Sequence, residues 1–373
     1  MYFHIILTER CNSQCRYCYD KSEREFGEKL NEKFKFDFSA PENSEVDVKE
    51  LRKFILKDKE EPKIIFYGGE PLVNKEKIIE IMDAISEARY YIQTNGKLFN
   101  ELPKEYVNRF SKILISIDGN KKRTDFNRGK GTYDLVLKNL GLIRKNGFKG
   151  EVVARMTLSF SDEFTDLLKQ IKHLFKIGFN SVHWQLDMGF YESDYEKEKV
   201  ENFIIKYNKE ISKLIKFWIK NMKKGKVLKI YPFLGIFDSL YHGTKTKLRC
   251  GSGYANYTIT TNGKIITCPI MNCIKDFEVG DIMESNPNEL KEISVIEPCP
   301  SCDYFELCGG RCLYSNHAKL WPEEGEAQIC STIKFLINKL GRNLLEIKYL
   351  IDKGIVKEEQ FDYEKYFGPE IVP

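Results

Sequence analysis

Short apolar runs alternate with helix-patterned stretches as far as about residue 223. The runs are rich in β-branched and aromatic side chains and comprise Phe3–Leu7, Ile64–Tyr67, Tyr90–Thr94, Ile113–Ile117, Val152–Leu158 and Val182–Leu186. Runs that are apolar almost throughout are typical of strands buried on both faces of a sheet. Because helical stretches separate them, the pattern predicts a parallel sheet, closed or partly closed into a barrel.

The stretches between the runs show the helical period of about 3.6 residues. Asn74 is predicted to cap one helix, and Ser161 or Asp162 to cap another that stops at Gly178. Longer helices are predicted over residues 195–223 and over Ile333–Ile351.

The predicted strands become polar on one side where they end. The pairs that share a face by the two-residue period are Gln93 and Asn95, Ser116 and Asp118, Arg155 and Thr157, and Gln185 and Asp187. Strand ends are also polar simply because they approach solvent. In a β/α barrel, however, the active site lies at the carboxyl ends of the strands, and we expect these side chains to line one.

Composition narrows the class of protein. The 373 residues are 42% hydrophobic with a formal net charge of only +4, and the basic residues are interpreted as scattered, so neither nucleic acid nor an anionic membrane is expected as a partner. No apolar run approaches the roughly 18 residues of a transmembrane helix, and no secretory signal is present. We therefore expect a cytoplasmic protein, in which eleven cysteines point to metal rather than disulfides.

Two groups of cysteines stand out. The first, Cys11, Cys15 and Cys18, occupies one eight-residue loop directly after the first apolar run. Three thiolates without a fourth would leave one iron of an iron–sulfur cluster open for a small ligand. An incomplete zinc loop and thiols without a role are the alternatives, although the x3 spacing does not match the usual zinc pairs. The second group comprises Cys250, Cys268, Cys273, Cys299, Cys302, Cys308, Cys312 and Cys330.

A charged, Phe-containing segment, residues 21–45, interrupts the strand–helix alternation after the first cysteine loop. A loop of this length in a compact domain is usually functional or disordered. Both a substrate-covering role and disorder stay open.

The first cysteine loop, with Tyr17 before its last thiol, resembles the signature of the radical S-adenosylmethionine (SAM) superfamily. Later segments agree in order: Gly68-Gly69-Glu70-Pro71 after the second strand, Thr94-Asn95-Gly96 after the third and Ser116-Ile117-Asp118-Gly119 after the fourth. The resemblance implies a partial (β/α)6 barrel that binds a 4Fe–4S cluster and SAM and forms a 5′-deoxyadenosyl radical. The residues it implies for cofactor binding are Tyr17, Gly68, Gly69, Glu70, Pro71, Asn95, Ser116 and Asp118.

Two strand-end residues receive more specific hypotheses. Arg155 is a candidate for the cofactor's ribose or carboxylate, because a guanidinium fork matches a carboxylate, with a structural ion pair as the alternative. Asp187 is the candidate catalytic residue: it could accept a proton from an oxidised substrate, bind the ribose or cap a loop.

The second cysteine group resembles the seven-cysteine SPASM extension, which carries two auxiliary 4Fe–4S clusters. By similarity, Cys299, Cys302, Cys308 and Cys330 would hold the distal cluster, and Cys250, Cys268 and Cys312 the nearer one. Cys273 is either a fourth ligand of the nearer cluster or a plain buried thiol. A zinc ribbon would leave Cys250, Cys268 and Cys330 unexplained.

The resemblance also implies a domain order and a function. We expect a radical SAM core at residues 1–225, a SPASM domain at 226–335 and a terminal helix and tail at 336–373. Most such enzymes oxidatively modify a peptide or protein side chain and take electrons from an external donor such as ferredoxin or flavodoxin. No separate N-terminal recognition domain is expected, and length and layout resemble sulfatase-maturing enzymes. A radical enzyme acting on a small cofactor or porphyrinoid precursor, and a non-catalytic electron-transfer protein, are the alternatives.

Overall fold

The computed structural model describes residues 1–18, 28–160, 166–191 and 194–368. Its strands are β1 (Tyr2–Ile6), β2 (Lys63–Tyr67), β3 (Arg89–Thr94), β4 (Phe110–Ser116), β5 (Glu151–Ser159), β6 (Ser181–Asp187), β7 (Lys229–Ile230), β8 (Asn256–Ile259), β9 (Lys264–Ile266) and β10 (Glu278–Asp281). Its helices are α1 (Glu28–Lys33), α2 (Val48–Ile55), α3 (Lys75–Ala84), α4 (Lys104–Val107), α5 (Lys121–Arg128), α6 (Thr132–Lys145), α7 (Leu167–Lys176), α8 (Lys197–Met222), α9 (Tyr231–His242), α10 (Phe305–Cys308), α11 (Leu313–Ala318), α12 (Glu323–Gly341) and α13 (Leu344–Asp352).

The chain forms two compact units, each built from separate stretches of sequence. Unit 1 comprises residues 1–117, 121–154 and 251–294, and unit 2 comprises residues 118–120, 155–250 and 295–373. Strand β5 begins in unit 1 and ends in unit 2.

Unit 1 is organised by parallel strands in the order β8-β1-β2-β3-β4, with β9 and β10 added antiparallel beyond β8. All five residues of β1 are buried, and the Phe3 ring meets Phe54 of α2 edge-on at 5.4 Å. Asp47 fixes the start of α2, since its carboxylate accepts the backbone N–H groups of Lys49 and Glu50. Parallel pairing brings the carboxyl ends of β1, β2 and β3 to one edge.

Unit 2 is organised around β6, whose seven residues are all buried, and the 26-residue helix α8. Trp184 of β6 and Trp218 of α8 both pack against the Phe233 ring, with ring centres 5.8 and 5.3 Å away. Both indoles are satisfied, because Trp184 donates to the Tyr207 hydroxyl and Trp218 to the Leu228 carbonyl.

The predicted α/β fold with a parallel sheet is confirmed, and the six predicted strands correspond to β1–β6. Two details are wrong. Asn74 does not cap α3 with its side chain; its amide donates to the Leu7 carbonyl at 2.8 Å instead. The predicted terminal helix is two helices, α12 and α13, because the chain turns at Arg342–Asn343.

A third detail concerns the start of α7. This helix begins at Leu167, with Asp166 at its N-cap position, so the predicted caps Ser161 and Asp162 do not start it. Those two residues, like residues 21–27 of the charged segment, lie outside the described residues. Within the described residues, no helix combines the length and the apolar character needed to span a bilayer.

Candidate active site

The three thiols of the first cysteine loop lie close together in unit 1. Desolvation raises the pKa of Cys11 to about 11; the Ser13 backbone N–H opposes this shift, and Glu70, Cys15 and Cys18 add to it through their charge. Cys11 is a surface residue, and both other thiols of the loop are near enough to interact with it. Three converging thiols fit the three-thiolate ligand set of a cluster with one open iron.

The segment around α5 contacts the cysteine loop at two places. The Arg16 backbone N–H donates to the Asn127 carbonyl at 2.9 Å. Tyr17, which is buried, lies under the Arg128 guanidinium at 5.2 Å from the ring centre. Tyr17 therefore anchors the loop by burial and a cation–π contact.

The Gly68-Gly69 pair lets two backbone segments approach closely. The Gly69 N–H donates to the Thr8 carbonyl and the Glu70 N–H to the Arg10 carbonyl, both at 2.8 Å. Gly68 has a φ of +145°, which L side chains rarely adopt, and a Cβ on Gly69 would lie 2.5 Å from the Arg10 carbonyl oxygen. The pair thus fixes the backbone immediately before Cys11.

Gly69→Ala is expected to displace that backbone, because a Cβ there meets carbonyl oxygens of the main chain rather than a flexible side chain. We expect a loss of about 1–3 kcal/mol in unfolding free energy and a marked loss of iron uptake after anaerobic reconstitution. Urea unfolding and iron analysis measure both. The matched control is Gly141→Ala in α6, where a Cβ meets nothing within 4 Å; it should not destabilise. Equal behaviour of the two variants would contradict the close-approach argument.

Glu70 connects the end of β2 to the end of β3. Its side chain is buried and accepts the Thr94 hydroxyl and the Asn95 N–H, each at 2.6 Å, and the Leu72 N–H at 3.1 Å. Pro71, also buried, begins the short 3₁₀ turn that Glu70 caps. The Glu70 side chain therefore holds other protein groups in place, and this role is separate from the cofactor binding predicted for its backbone.

Burial raises the pKa of Glu70 to about 7, although the bonds from Thr94, Asn95 and Leu72 oppose the shift. Between the ordinary glutamate pKa and this value, the folded protein keeps a proton that the unfolded chain has released. The free energy of unfolding therefore falls as pH rises through this window. Glu70→Gln removes the titrating group. The free energy of unfolding of the wild type, measured relative to that of the variant, should therefore fall by about 1–3 kcal/mol from pH 5 to pH 8.

Urea unfolding of the metal-free protein across this pH range measures the difference. Glu76→Gln, at an exposed position of α3, is the control and should show a difference that does not vary with pH. A Glu70→Gln difference that grows with pH would show that the hydrogen bonds outweigh burial.

Asn95 reaches the cysteine loop itself. Its side-chain N–H group donates to the Asn12 oxygen at 2.6 Å and to the Ser13 hydroxyl at 3.2 Å. Glu70, Thr94, Asn95 and Asn12 thus form a continuous chain from two strand ends to the loop. Glu70 and Asn95 were predicted as cofactor-binding residues; Asn12, Ser13 and Thr94 were not, because their partners lie far away in sequence.

The remaining predicted strand-end residues are placed as follows. Ser116 ends β4 in unit 1, half-buried. In unit 2, fully buried Asp118 accepts the Thr157 N–H at 2.9 Å, and Arg155 donates to the Gln185 side chain at 2.9 Å.

Asp187 ends β6 and is buried. The roles predicted for these strand-end residues in cofactor binding and catalysis stay predictions.

Four thiols of the second group converge in unit 2. Desolvation first, and then the charges of Cys308, Cys330 and Cys302, raise the pKa of Cys299 to about 12, while a hydrogen bond from Asn316, 3.4 Å from the sulfur, lowers it. These four are the residues predicted for the distal auxiliary cluster, and their grouping fits a four-thiolate set. In the described part of the chain, no three His, Cys, Asp or Glu side chains are grouped tightly enough for a single metal ion; cluster thiolates bind separate irons and stand further apart.

The residues predicted for the nearer auxiliary cluster are divided between the units. Cys250 and Cys312 belong to unit 2, and Cys268 and Cys273 to unit 1. Cys273 has a positive φ of 68°, and its carbonyl accepts the Asp37 N–H at 2.8 Å. This left-handed backbone is uncommon for a non-glycine residue, but it does not decide between ligand and plain thiol.

Arg311, which lies between Cys308 and Cys312 in the sequence, was not predicted as a site residue. The buried guanidinium donates to the carbonyls of Leu186 and Met188, which flank Asp187, at 3.1–3.2 Å. Its charge also lowers the pKa of Cys330. Arg311 therefore joins the four-thiol group to the end of β6. A signal existed: it is the only basic residue between Cys299 and Cys312.

Comparisons with known proteins agree with this site. Residues 5–171 match the model of the radical SAM superfamily. The radical SAM cyclopropyl synthase TigE of Paramaledivibacter caminithermalis is 24% identical over 94% of this chain and 76% of its own. The cysteine-type anaerobic sulfatase-maturating enzyme of Clostridium perfringens is 22% identical over 81% of this chain and 85% of its own.

A solved structure, native anSMEcpe with bound AdoMet and Cp18Cys peptide, superposes with a TM-score of 0.69 at 18% identity, over 94% of this chain and 99% of the other. At this identity the likeness establishes the fold. Residues 5–171 carry the radical SAM domain, and the relatives that align with most of the chain, together with the shared fold, support a radical SAM iron–sulfur enzyme of the SPASM type.

Proposed function

We propose that this enzyme oxidatively modifies a side chain of a peptide or protein. The observation that carries the proposal is the convergent group of four thiols, Cys299, Cys302, Cys308 and Cys330, in addition to the cysteine loop. A radical SAM core needs only the loop to cleave SAM, so the second group serves the substrate side. The relatives support this reading, because alignment with a sulfatase-maturating enzyme covers 81% of the chain.

The protein groups have distinct tasks in this proposal. Bound cluster and SAM would supply a radical that removes hydrogen from the substrate. Cys11, Cys15 and Cys18 hold the cluster that binds SAM, and the Glu70–Asn95 chain keeps their loop in position. Asp187, buried at the end of β6, takes the proton that the oxidised substrate loses.

Two auxiliary clusters complete the cofactor set in this proposal. Cys299, Cys302, Cys308 and Cys330 would hold one, and the second is the nearer cluster that the family resemblance implies. An external one-electron donor would supply the electron for SAM cleavage.

Anaerobic reconstitution tests the proposal in two steps. About twelve iron per chain, four for each of three cubane clusters, and reductant-dependent 5′-deoxyadenosine are expected first. Peptides encoded beside the gene are then incubated with the loaded enzyme and SAM, and mass spectrometry should find a peptide that has lost hydrogen. Turnover of a small cofactor precursor, with no peptide product, would contradict peptide modification while leaving the family unaffected.

A further inference from the structure

The segment around α5 concentrates positive charge beside the cysteine loop. Residues 121–130 contain five Lys or Arg and one Asp, a net charge of +4, which equals the formal charge of the whole chain. The interpretation that basic residues are scattered is therefore wrong at this place. Arg123 and Arg128 are buried, so the positive charge that this segment exposes comes from its three lysines.

The exposed side chains of this segment share one face. Lys122 and Phe126 are both exposed and lie four residues apart on α5, so they are neighbours on the helix surface, and exposed Lys130 follows just beyond its end. Lys121, at the start of α5, pairs with Asp125 and Asp134. Lys122, Phe126 and Lys130, with Arg16 of the loop, are called the α5 patch below.

Phe126 is unusual because half of its surface is exposed beside charged groups. The Arg16 guanidinium covers its ring at 4.0 Å, and Arg16 lies between Cys15 and Cys18. An exposed aromatic ring rimmed by basic side chains is a common composition for an interface centre. The patch therefore adjoins the peptide segment that carries the cluster ligands.

We propose that the α5 patch is the docking surface for a small acidic one-electron carrier protein. The charge of the patch complements an acidic partner, which speeds encounter and orients it. A partner seated on Arg16 and Phe126 lies against the cysteine loop, where an electron must enter. The patch offers one aromatic ring rather than the stacked series of a nucleic-acid site, so a protein partner fits better. This inference rests on the external one-electron donor of the proposed function and does not depend on the final substrate.

The test compares two electron sources for the same loaded enzyme. SAM cleavage is driven either by dithionite or by an acidic two-cluster ferredoxin kept reduced by its reductase, and 5′-deoxyadenosine is measured. The variants are Phe126→Ala and the double charge reversal Lys122→Glu with Lys130→Glu. The control is Lys59→Glu, an exposed position just before β2, at the opposite end of the parallel strands from the cysteine loop.

With subsaturating ferredoxin, both variants should slow SAM cleavage about tenfold, whereas dithionite-driven cleavage should stay at the wild-type rate. Calorimetric titration of ferredoxin onto the enzyme should show affinity reduced by a similar factor, and added salt should narrow the gap between wild type and the charge reversal. Lys59→Glu should match wild type throughout.

Three outcomes would overturn the proposal: unchanged ferredoxin affinity in both variants, an equal loss with dithionite and ferredoxin, or an equal loss in Lys59→Glu. Binding of a labelled single-stranded oligonucleotide that both variants abolish, without an effect on ferredoxin, would also overturn it and assign the patch to nucleic acid. Because the readout is 5′-deoxyadenosine and affinity, failure to find a peptide substrate does not affect this test.

Discussion

Cys15→Ala should abolish reductive cleavage of SAM while the protein remains folded. Cys15 lies on the loop after β1 and not in the core, so the strands keep their packing. Two thiols cannot replace a set of three, and even indirect changes around metal ligands cost about 10–100-fold. We therefore expect 5′-deoxyadenosine formation to fall by about 100-fold or more and the iron content to fall by about four per chain.

Gln14→Ala is the matched control for Cys15→Ala, because Gln14 is the exposed neighbour in the same loop. It should retain iron and SAM cleavage. Circular dichroism and thermal unfolding of the metal-free proteins check that both variants fold. Persistent SAM cleavage in Cys15→Ala would show that the loop does not hold the SAM-binding cluster.

Cys302→Ala should separate SAM cleavage from product formation. Cys302 belongs to the four-thiol group of unit 2, whereas the loop thiols belong to unit 1. With one ligand of four removed, we expect about four iron fewer per chain and no modified peptide. SAM cleavage should stay within roughly tenfold of wild type, the lower end of the range of indirect effects on a metal site.

The control for Cys302→Ala is Ser301→Ala, which removes an exposed hydroxyl bonded to Glu297. It should leave both iron and product unchanged. Thermal unfolding of the metal-free variants shows whether unit 2 keeps its stability, so that lost product reflects the missing ligand. If Cys302→Ala still forms modified peptide, the four-thiol group has no role in substrate modification.

The strands were predictable because buried parallel strands leave a strong local signal. Val182–Leu186 was predicted and Ser181–Asp187 is observed. The largest error is at the start of β4, observed at Phe110 rather than Ile113, since Ser111 and Lys112 interrupt the apolar run before it. Helix ends were less accurate: a continuous apolar period hides the turn between α12 and α13.

The sequence predicted the candidate ligands of the site, but not the residues that hold those ligands in place. Cysteine spacing and strand-end polarity pointed to the cysteine loop and Asn95, and the family resemblance pointed to Glu70, without any structure. The bonds from Asn95 to Asn12 and Ser13 span more than eighty residues, 83 and 82 respectively, and no periodicity reports on a contact that distant. Glu70 shows the consequence, because its side chain holds Thr94 and Asn95 in a way its motif does not reveal.

The hydrogen bonds from Asn95 to the cysteine loop bear on how the enzyme matures. In small zinc domains the metal orders its own ligands, so binding and folding are one event. Here the bond from Asn95 and the Arg16–Asn127 backbone bond join the loop to other parts of the chain without using a cysteine. Part of the conformational entropy of the loop is therefore lost during folding. We expect cluster binding to be coupled to folding less strongly here than in a small zinc domain.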